Sequence, residues 1–364
     1  LDISGLATLG GDQELGVFEA DVDLQHGSTL STYSGTTTIN AGGTLRAGQA
    51  WSLSKESALQ VDGTLTIGDN PERDGNKGRE DQQIAELKGS GNVSLEKQSH
   101  LFFGGTNQSV EFSGTSSGNG SLVKEGSGTT SITGELGHTG YTKVHDGILK
   151  LGSADATLSK TSVALISSSS KSPTLDLGGT TQDVTKFNLH GGTLKNGSLS
   201  PGNSVTVNRR VNTIEGVKGD PDEIEKNASL SVKASNVEND PSVSLLLVGA
   251  NEFQDLSVDR ADVVIDAGSS LTLVEGIDGG DFAPRSATHS PQDAIDVQGS
   301  LTVGRGLLDQ GGNRAYGDGS IDLGAGNDLF KIGESGSVVL SGVGIDDRAL
   351  LIKGGAGDFD VFWN

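Results

Sequence analysis

The chain has no cysteine, no methionine, only 7 prolines in 364 residues, and aromatic residues at 4%. Without cysteine there is neither a disulfide framework nor a thiolate metal knot. A polypeptide that threads a narrow pore unfolded would be impeded by disulfides formed beforehand. The absence therefore leans toward an exported chain, with chance as the plainer alternative. Basic residues are also scarce, 26 against 48 acidic, for a net charge of −22. Phosphate recognition needs a basic face, so nucleic acid and anionic membranes are poor principal partners. The adjacent Arg209 and Arg210 do not repair this, because on a strand they would face opposite ways. The acidic excess reads as a solvated surface that keeps the protein soluble. No run approaches the roughly 20 apolar residues of a membrane-spanning helix, and no signal peptide opens the chain. Its first residue is Leu1, which leads us to expect a mature or excised segment.

What is abundant is glycine. Its 56 copies follow no collagen period and mark many tight turns. Between them lie short segments of strand type, such as SALQVDGTLTIG (57–68), TKVHDGILKLGS (142–153) and AIDVQGSLTVG (294–304). Each holds alternating or short-run apolar residues and is closed by Gly, Asn or Asp. DQQIAELKG (81–89) is the one helix-like stretch, two turns at most. The chain reads as all-β. Sandwich domains are usually near 100 residues, and a chain this long would need linkers between several of them. A propeller would repeat aromatic blade signatures. What recurs is strand, glycine corner, strand: VDGTLTI, HDGILKL, HGGTLKN, DAGSSLTL and VQGSLTV. Coils of that kind, roughly 20–30 residues each, stack into a right-handed parallel β-helix, a β-solenoid of the pectin-lyase-like type. We expect residues 1–364 to form one such body.

Residues 118–152, GNGSLVKEGSGTTSITGELGHTGYTKVHDGILKLGS, also resemble the passenger-associated transport repeat of bacterial autotransporters (type V secretion). Gly120, Leu122, Lys124, Gly126, Gly128, Thr129, Tyr141, Thr142, Gly147 and Leu149 stand where that pattern wants them. GSLSPGNSVTV (197–207) resembles a corner common in the same passengers, though the usual Gly-Thr after Ser204 is missing. The pair GAGNDLF (324–330) and GGAGDFDVF (354–362) lies about one coil apart. The resemblance implies a right-handed β-helical passenger of the self-associating adhesin type, displayed on or released from a Gram-negative surface. Its C-terminal outer-membrane barrel would announce itself as many amphipathic strands of about ten residues; this sequence carries none, so we expect a passenger fragment.

Catalytic motifs are weak. The chymotrypsin-like Gly-Asp-Ser-Gly does not occur, and the subtilisin-like Gly-Thr-Ser-Met needs a methionine the chain lacks. A polysaccharide lyase or hydrolase is the stronger enzymatic alternative, since paired carboxylates serve that chemistry. Its candidates are Asp220, Asp222 and Glu223, or Asp346 and Asp347, all in loop-like sequence. The glycine-aspartate strings resemble a calcium nonapeptide, but that site needs adjacent tandem copies. Asp328 and Asp358 are thus weak calcium candidates, and no cofactor is expected. The six histidines, His26, His100, His138, His145, His190 and His289, form no close pair in sequence.

Binding fits the sequence better than turnover. Three charged, proline-bearing insertions, 69–83, 217–227 and 275–293, interrupt the coil pattern. Loops on a rigid scaffold commonly carry recognition. The candidates are Asp74, Lys77 and Arg79 in the first, Lys218 and Asp220 in the second, and Asp281 and Arg285 in the third. The expected function is a surface adhesin that binds a host surface, an extracellular-matrix component or a glycan without catalysis. The same expectation includes self-association between cells, in aggregation or biofilm; a β-helical polysaccharide-active enzyme and a secreted vacuolating-type toxin are the alternatives.

Overall fold

The structure is a computed structural model. It describes residues 34–48, 50–68, 80–96, 98–158, 162–167, 171–200, 202–219, 228–233, 243–259, 261–274 and 294–303, together with the backbone of short strands outside these ranges. The described residues contain strands and turns and no helix. The chain divides into two compact units, Leu1–Thr180 and Thr181–Asn364. Each is a right-handed parallel β-helix of stacked coils, the handedness that connections between parallel strands adopt.

In the first unit three parallel sheets carry most of the described strands. One runs through Thr36–Ile39, Ala58–Val61 and Glu86–Lys88. A bridge from Gly89 to Phe112 carries it on to Val110–Phe112, Thr129–Ile132 and Ile148–Leu151. The second contains Thr44–Ala47, Thr64–Ile67, Asn92–Leu95 and Thr115–Gly118; the third contains Gln82–Gln83, His100–Phe103, Ser121–Lys124, Tyr141–Val144 and Ser162–Ile166. The strands are short because each coil must turn three corners. Their side chains alternate half-buried and buried, as in TTTI, TLRA, ALQV and NVSL, which is the period-two pattern of a strand with one face inward. Inward positions stack like on like: Leu45 pairs with Leu65 and Leu65 with Val93, while Ala47 pairs with Ile67 and Ile67 with Leu95. All six are fully buried. Each such leucine or isoleucine stabilises the stack by about 1.5–3 kcal/mol of removed apolar surface, so a thin core suffices without many aromatics.

Residues 118–152 form two successive coils. Ser121–Lys124 lies on Tyr141–Val144, with Leu122 opposite Thr142, and Thr129–Ile132 lies on Ile148–Leu151, with Thr129 opposite Ile148. The glycines of the motif sit at corners where one backbone rests on the next. A Cβ on Gly126 (φ 67°) would overlap the carbonyl of Gly104, and one on Gly147 (φ 64°) the carbonyl of Gly126. A second column, Gly63, Gly91, Gly114 and Gly134, repeats this contact: a Cβ on each of the last three would overlap the carbonyl of the one before. Lys124 is buried. Its ammonium donates to the carbonyls of Glu125 and Gly126 (2.7 Å) and reaches that of Asp146, one coil on, at 3.4 Å. Burial lowers its pKa to about 8, with Asp146 and Glu125 opposing the shift.

In the second unit the parallel sheets run through Lys186–His190, Ser204–Val207, Ser229–Lys233 and Leu256–Asp259; through Gly192–Leu199, Val211–Gly219, Val243–Val248, Ala261–Ile265 and Ala294–Val297; and through Ala250–Phe253, Ser270–Leu273 and Ser300–Val303. The column Ile214, Leu247, Ile265, Val297 is wholly buried. Buried asparagines satisfy its corners. Asn212 accepts from the Gly191 N–H at 2.8 Å and donates to the carbonyls of Arg209 and Arg210; Asn251 does the same for Val217 and Val248. An orphaned backbone group here would cost about 1–3 kcal/mol, and one amide side chain meets several.

The structure changes three expectations. DQQIAELKG makes the strands Gln82–Gln83 and Glu86–Lys88, because Ile84, Ala85 and Leu87 are drawn into the coil core. Arg209 and Arg210 stand in a corner, with Arg210 in left-handed backbone (φ 61°), and not on a strand. The insertions are shorter than expected: 217–219 complete the strand Val211–Gly219, with Val217 buried, and at the end of the first insertion Glu80 and Asp81 are buried and Gln82–Gln83 is a strand.

Gly114→Ala is expected to destabilise the protein by about 1–3 kcal/mol, the usual cost of forcing an atom into a packed contact. Gly105→Ala, where a Cβ meets nothing within 4 Å, should change stability by less than about 0.5 kcal/mol. Urea midpoints of the two variants check this; equal midpoints would refute the stacked-corner account.

Candidate functional site

Period-two geometry turns alternate residues of the third sheet of the first unit outward. Leu101 and Phe103 point in, so His100 and Phe102 point out. The register sets His100 beside Ser121, Phe102 beside Val123, Tyr141 beside Ser162 and Lys143 beside Ala164. Trp51 joins them from a neighbouring corner. Its N–H donates to the Asp81 carbonyl at 2.8 Å, and its backbone is left-handed, φ 61°. That conformation is costly for a bulky residue and is held only where surrounding contacts enforce it. The Trp51 ring stacks on Phe102, centroids 6.1 Å apart, and His100 meets Phe102 edge-on at 5.8 Å. The result is a continuous aromatic ridge.

Beside the ridge lies a groove of about 570 Å³, lined by Gln98, His100, Asn119, Ser121, Thr139, Gly140, Tyr141 and Ser162. Its walls are fixed by backbone bonds. The His100 N–H donates to Asp81 Oδ1 at 2.8 Å, with Nδ1 of the ring 3.7 Å from the same oxygen. Ser121 Oγ accepts from the Tyr141 N–H at 2.9 Å. Gln98, also left-handed (φ 60°), donates its N–H to Asn119 Oδ1 at 2.8 Å. Tyr141 stays half exposed, and the Lys143 ammonium sits 5.0 Å from its ring centroid, a cation–π contact that holds the ring in place.

Next in sequence to the lining residue Thr139 is a buried histidine, His138. His138 Nδ1 is 2.7 Å from Ser116 Oγ, one coil away, and Nε2 is 3.2 Å from Thr142 Oγ1. Burial pushes its pKa down to about 4, against a smaller opposing effect of the Tyr141 backbone bond. Nearby, Glu125 takes a hydrogen bond from Gln83 and lies 3.8 Å from His145 Nδ1. The His145 bond holds its carboxyl below the usual range, burial opposes this, and the His145 and Lys171 charges add to the lowering.

Of the residues expected from sequence, Lys218 is described and lies exposed on the strand Val211–Gly219. Asp74, Lys77, Arg79, Asp220, Asp281 and Arg285 lie outside the described residues, as do the calcium candidates Asp328 and Asp358 and the carboxylates Asp222, Glu223, Asp346 and Asp347. Among the described residues no three His, Asp or Glu side chains gather into a metal-binding group, and the groove lining includes no carboxylate. The ridge was missed. The alternation of HLFF carried the signal for His100 and Phe102, whereas nothing local to Trp51 announces that it reaches them. Comparison of the chain with protein-family models, curated proteins and solved structures gives no match in any of the three.

Because His138 has a folded pKa below its unfolded one, the unfolded chain binds a proton that the folded chain refuses. Its contribution is fully present above pH 6.5 and is lost as pH falls toward 4, up to about 3 kcal/mol. The stability difference between the parent and His138→Gln should shrink over that window, measured by urea unfolding at stepped pH. A difference independent of pH would show that the pKa of His138 is the same in the folded and unfolded chains, and would refute the burial account.

Proposed function

We propose that this chain is an autotransporter passenger acting as a surface adhesin at the outside of a Gram-negative bacterium, by non-catalytic multivalent contact. The observation that carries the reading is the ridge of Trp51, Phe102 and His100 beside the Tyr141 groove. Aromatic rings placed outward on a stacked sheet offer recognition area that loses little conformational freedom on binding. The likeness of 118–152 to the transport repeat supports export, and so does the lack of cysteine. Its partners on this reading are a host surface, a matrix component or a glycan, with its own barrel as anchor and copies on other cells as a further partner. Many copies per cell turn weak contacts into firm attachment, because each later contact forms at high effective concentration. The coil stack supplies rigidity, and nothing in the reading requires calcium or another cofactor.

Display of the chain on a non-adherent strain, fused to a translocator barrel, should raise attachment to host cells or matrix above that of the barrel alone. Trp51→Asn, chosen because asparagine tolerates left-handed backbone, should lower attachment several-fold at equal surface density. Attachment equal to the bare barrel, with unchanged settling of the culture, would overturn the adhesin reading. Release of reducing sugar from polysaccharide would replace it with the enzymatic one.

A further inference from the structure

Resting on the adhesin reading, we propose that the groove binds an uncharged, extended saccharide running along the coil axis. Four successive coils contribute to it: Gln98 and His100, then Asn119 and Ser121, then Thr139 to Tyr141, then Ser162. At the parallel-strand spacing of about 4.8 Å this spans roughly 14 Å, room for several sugar units and too long for one.

Chemistry selects the ligand. The lining carries amide, hydroxyl, imidazole and phenol groups and neither lysine nor arginine, and the Lys143 ammonium at its border is engaged by the Tyr141 ring, so an anionic polymer finds no row of cations among the described residues. A peptide adding itself as a strand is ruled out by topology. His100–Phe103, Ser121–Lys124 and Tyr141–Val144 each pair on both sides, leaving no open edge for strand addition. A sugar matches what remains. Its C–H faces pack on aromatic rings such as Tyr141, and its hydroxyls both donate and accept, as the side-chain amides of Gln98 and Asn119 do. Backbone bonds already hold these groups in position: Asn119 uses Oδ1 to fix the Gln98 backbone, and Ser121 uses Oγ to fix that of Tyr141. A rigid row of this kind loses little freedom when it binds.

The test is titration of the purified chain with short neutral gluco-, manno-, xylo- and N-acetylglucosamine oligomers, and with polygalacturonate as the acidic comparison, by calorimetry. At least one neutral oligomer should bind saturably, with affinity rising with length up to the groove's span. Tyr141→Ala should weaken it by at least about tenfold, the loss expected for a central aromatic anchor, while Tyr141→Phe keeps most of the affinity. Unfolding midpoints of both variants serve as the folding control. Saturable binding of polygalacturonate alone, no saturable binding of any oligomer, or equal affinity in well-folded Tyr141→Ala would overturn the proposal. Displayed cells that attach whether or not Tyr141 is replaced would remove the saccharide assignment and leave the adhesin reading intact. Cells that never attach while the purified chain still binds the oligomer would do the reverse.

Discussion

One constraint governs the first unit: at its glycine columns each coil rests on the one before it with no clearance. The ladder of parallel hydrogen bonds sets the separation of neighbouring backbones. At Gly91, Gly114 and Gly134 that separation leaves the carbonyl of the preceding coil where a Cβ would stand. The glycine-rich composition follows from this geometry. So does the scarcity of large side chains, because a coil only a few residues wide on each face is filled by columns of Leu, Ile and Val such as Leu45, Leu65 and Val93.

Most polar groups inside the stack are held to an equally strict rule, Thr130 Oγ1 and Asn208 Oδ1 being exceptions among the described side chains. A buried donor or acceptor must be met by a neighbour one coil away or within its own corner. Lys124 turns its ammonium onto carbonyls, Asn212 and Asn251 bridge corners, and His138 links Ser116 to Thr142. Each of these residues could pass for a functional one in a linear sequence. Their burial and their complete pairing make them parts of the scaffold, and the recognition chemistry lies outside, where Trp51, Phe102, His100 and Tyr141 share one face.

The fold was legible because its signal is local and repeated. Strand, glycine corner and strand recur often enough that a single reading accounts for the whole pattern, and the motif at 118–152 maps onto two stacked coils with its glycines at the contacts. The helix-like stretch at 81–89 misled because Ile84, Ala85 and Leu87 suit either period, and the neighbouring coils decide between them. The site was much less legible. Charge and proline drew attention to the insertions, yet the ridge combines residues from separate coils and one distant corner. Outward position in HLFF is readable from alternation; the meeting of Trp51 with Phe102 depends on how the loop after Thr44–Ala47 folds back, which no local pattern encodes.

The glycine columns also bear on how such a chain lengthens or shortens over evolutionary time. In the first unit, removing or duplicating one entire turn leaves each carbonyl of the Gly63, Gly91, Gly114 and Gly134 column facing a glycine, so changes in whole-turn increments preserve that alignment. Losing a single residue inside a strand inverts the side chains that follow it in that strand, whereas the loops between strands absorb differences in length: successive glycines of the column Gly63, Gly91, Gly114 and Gly134 are 28, 23 and 20 residues apart and still stack. Growth by complete turns and growth within the corner loops are therefore both open to this architecture, and a groove assembled from four consecutive turns would be extended or divided by the first of these.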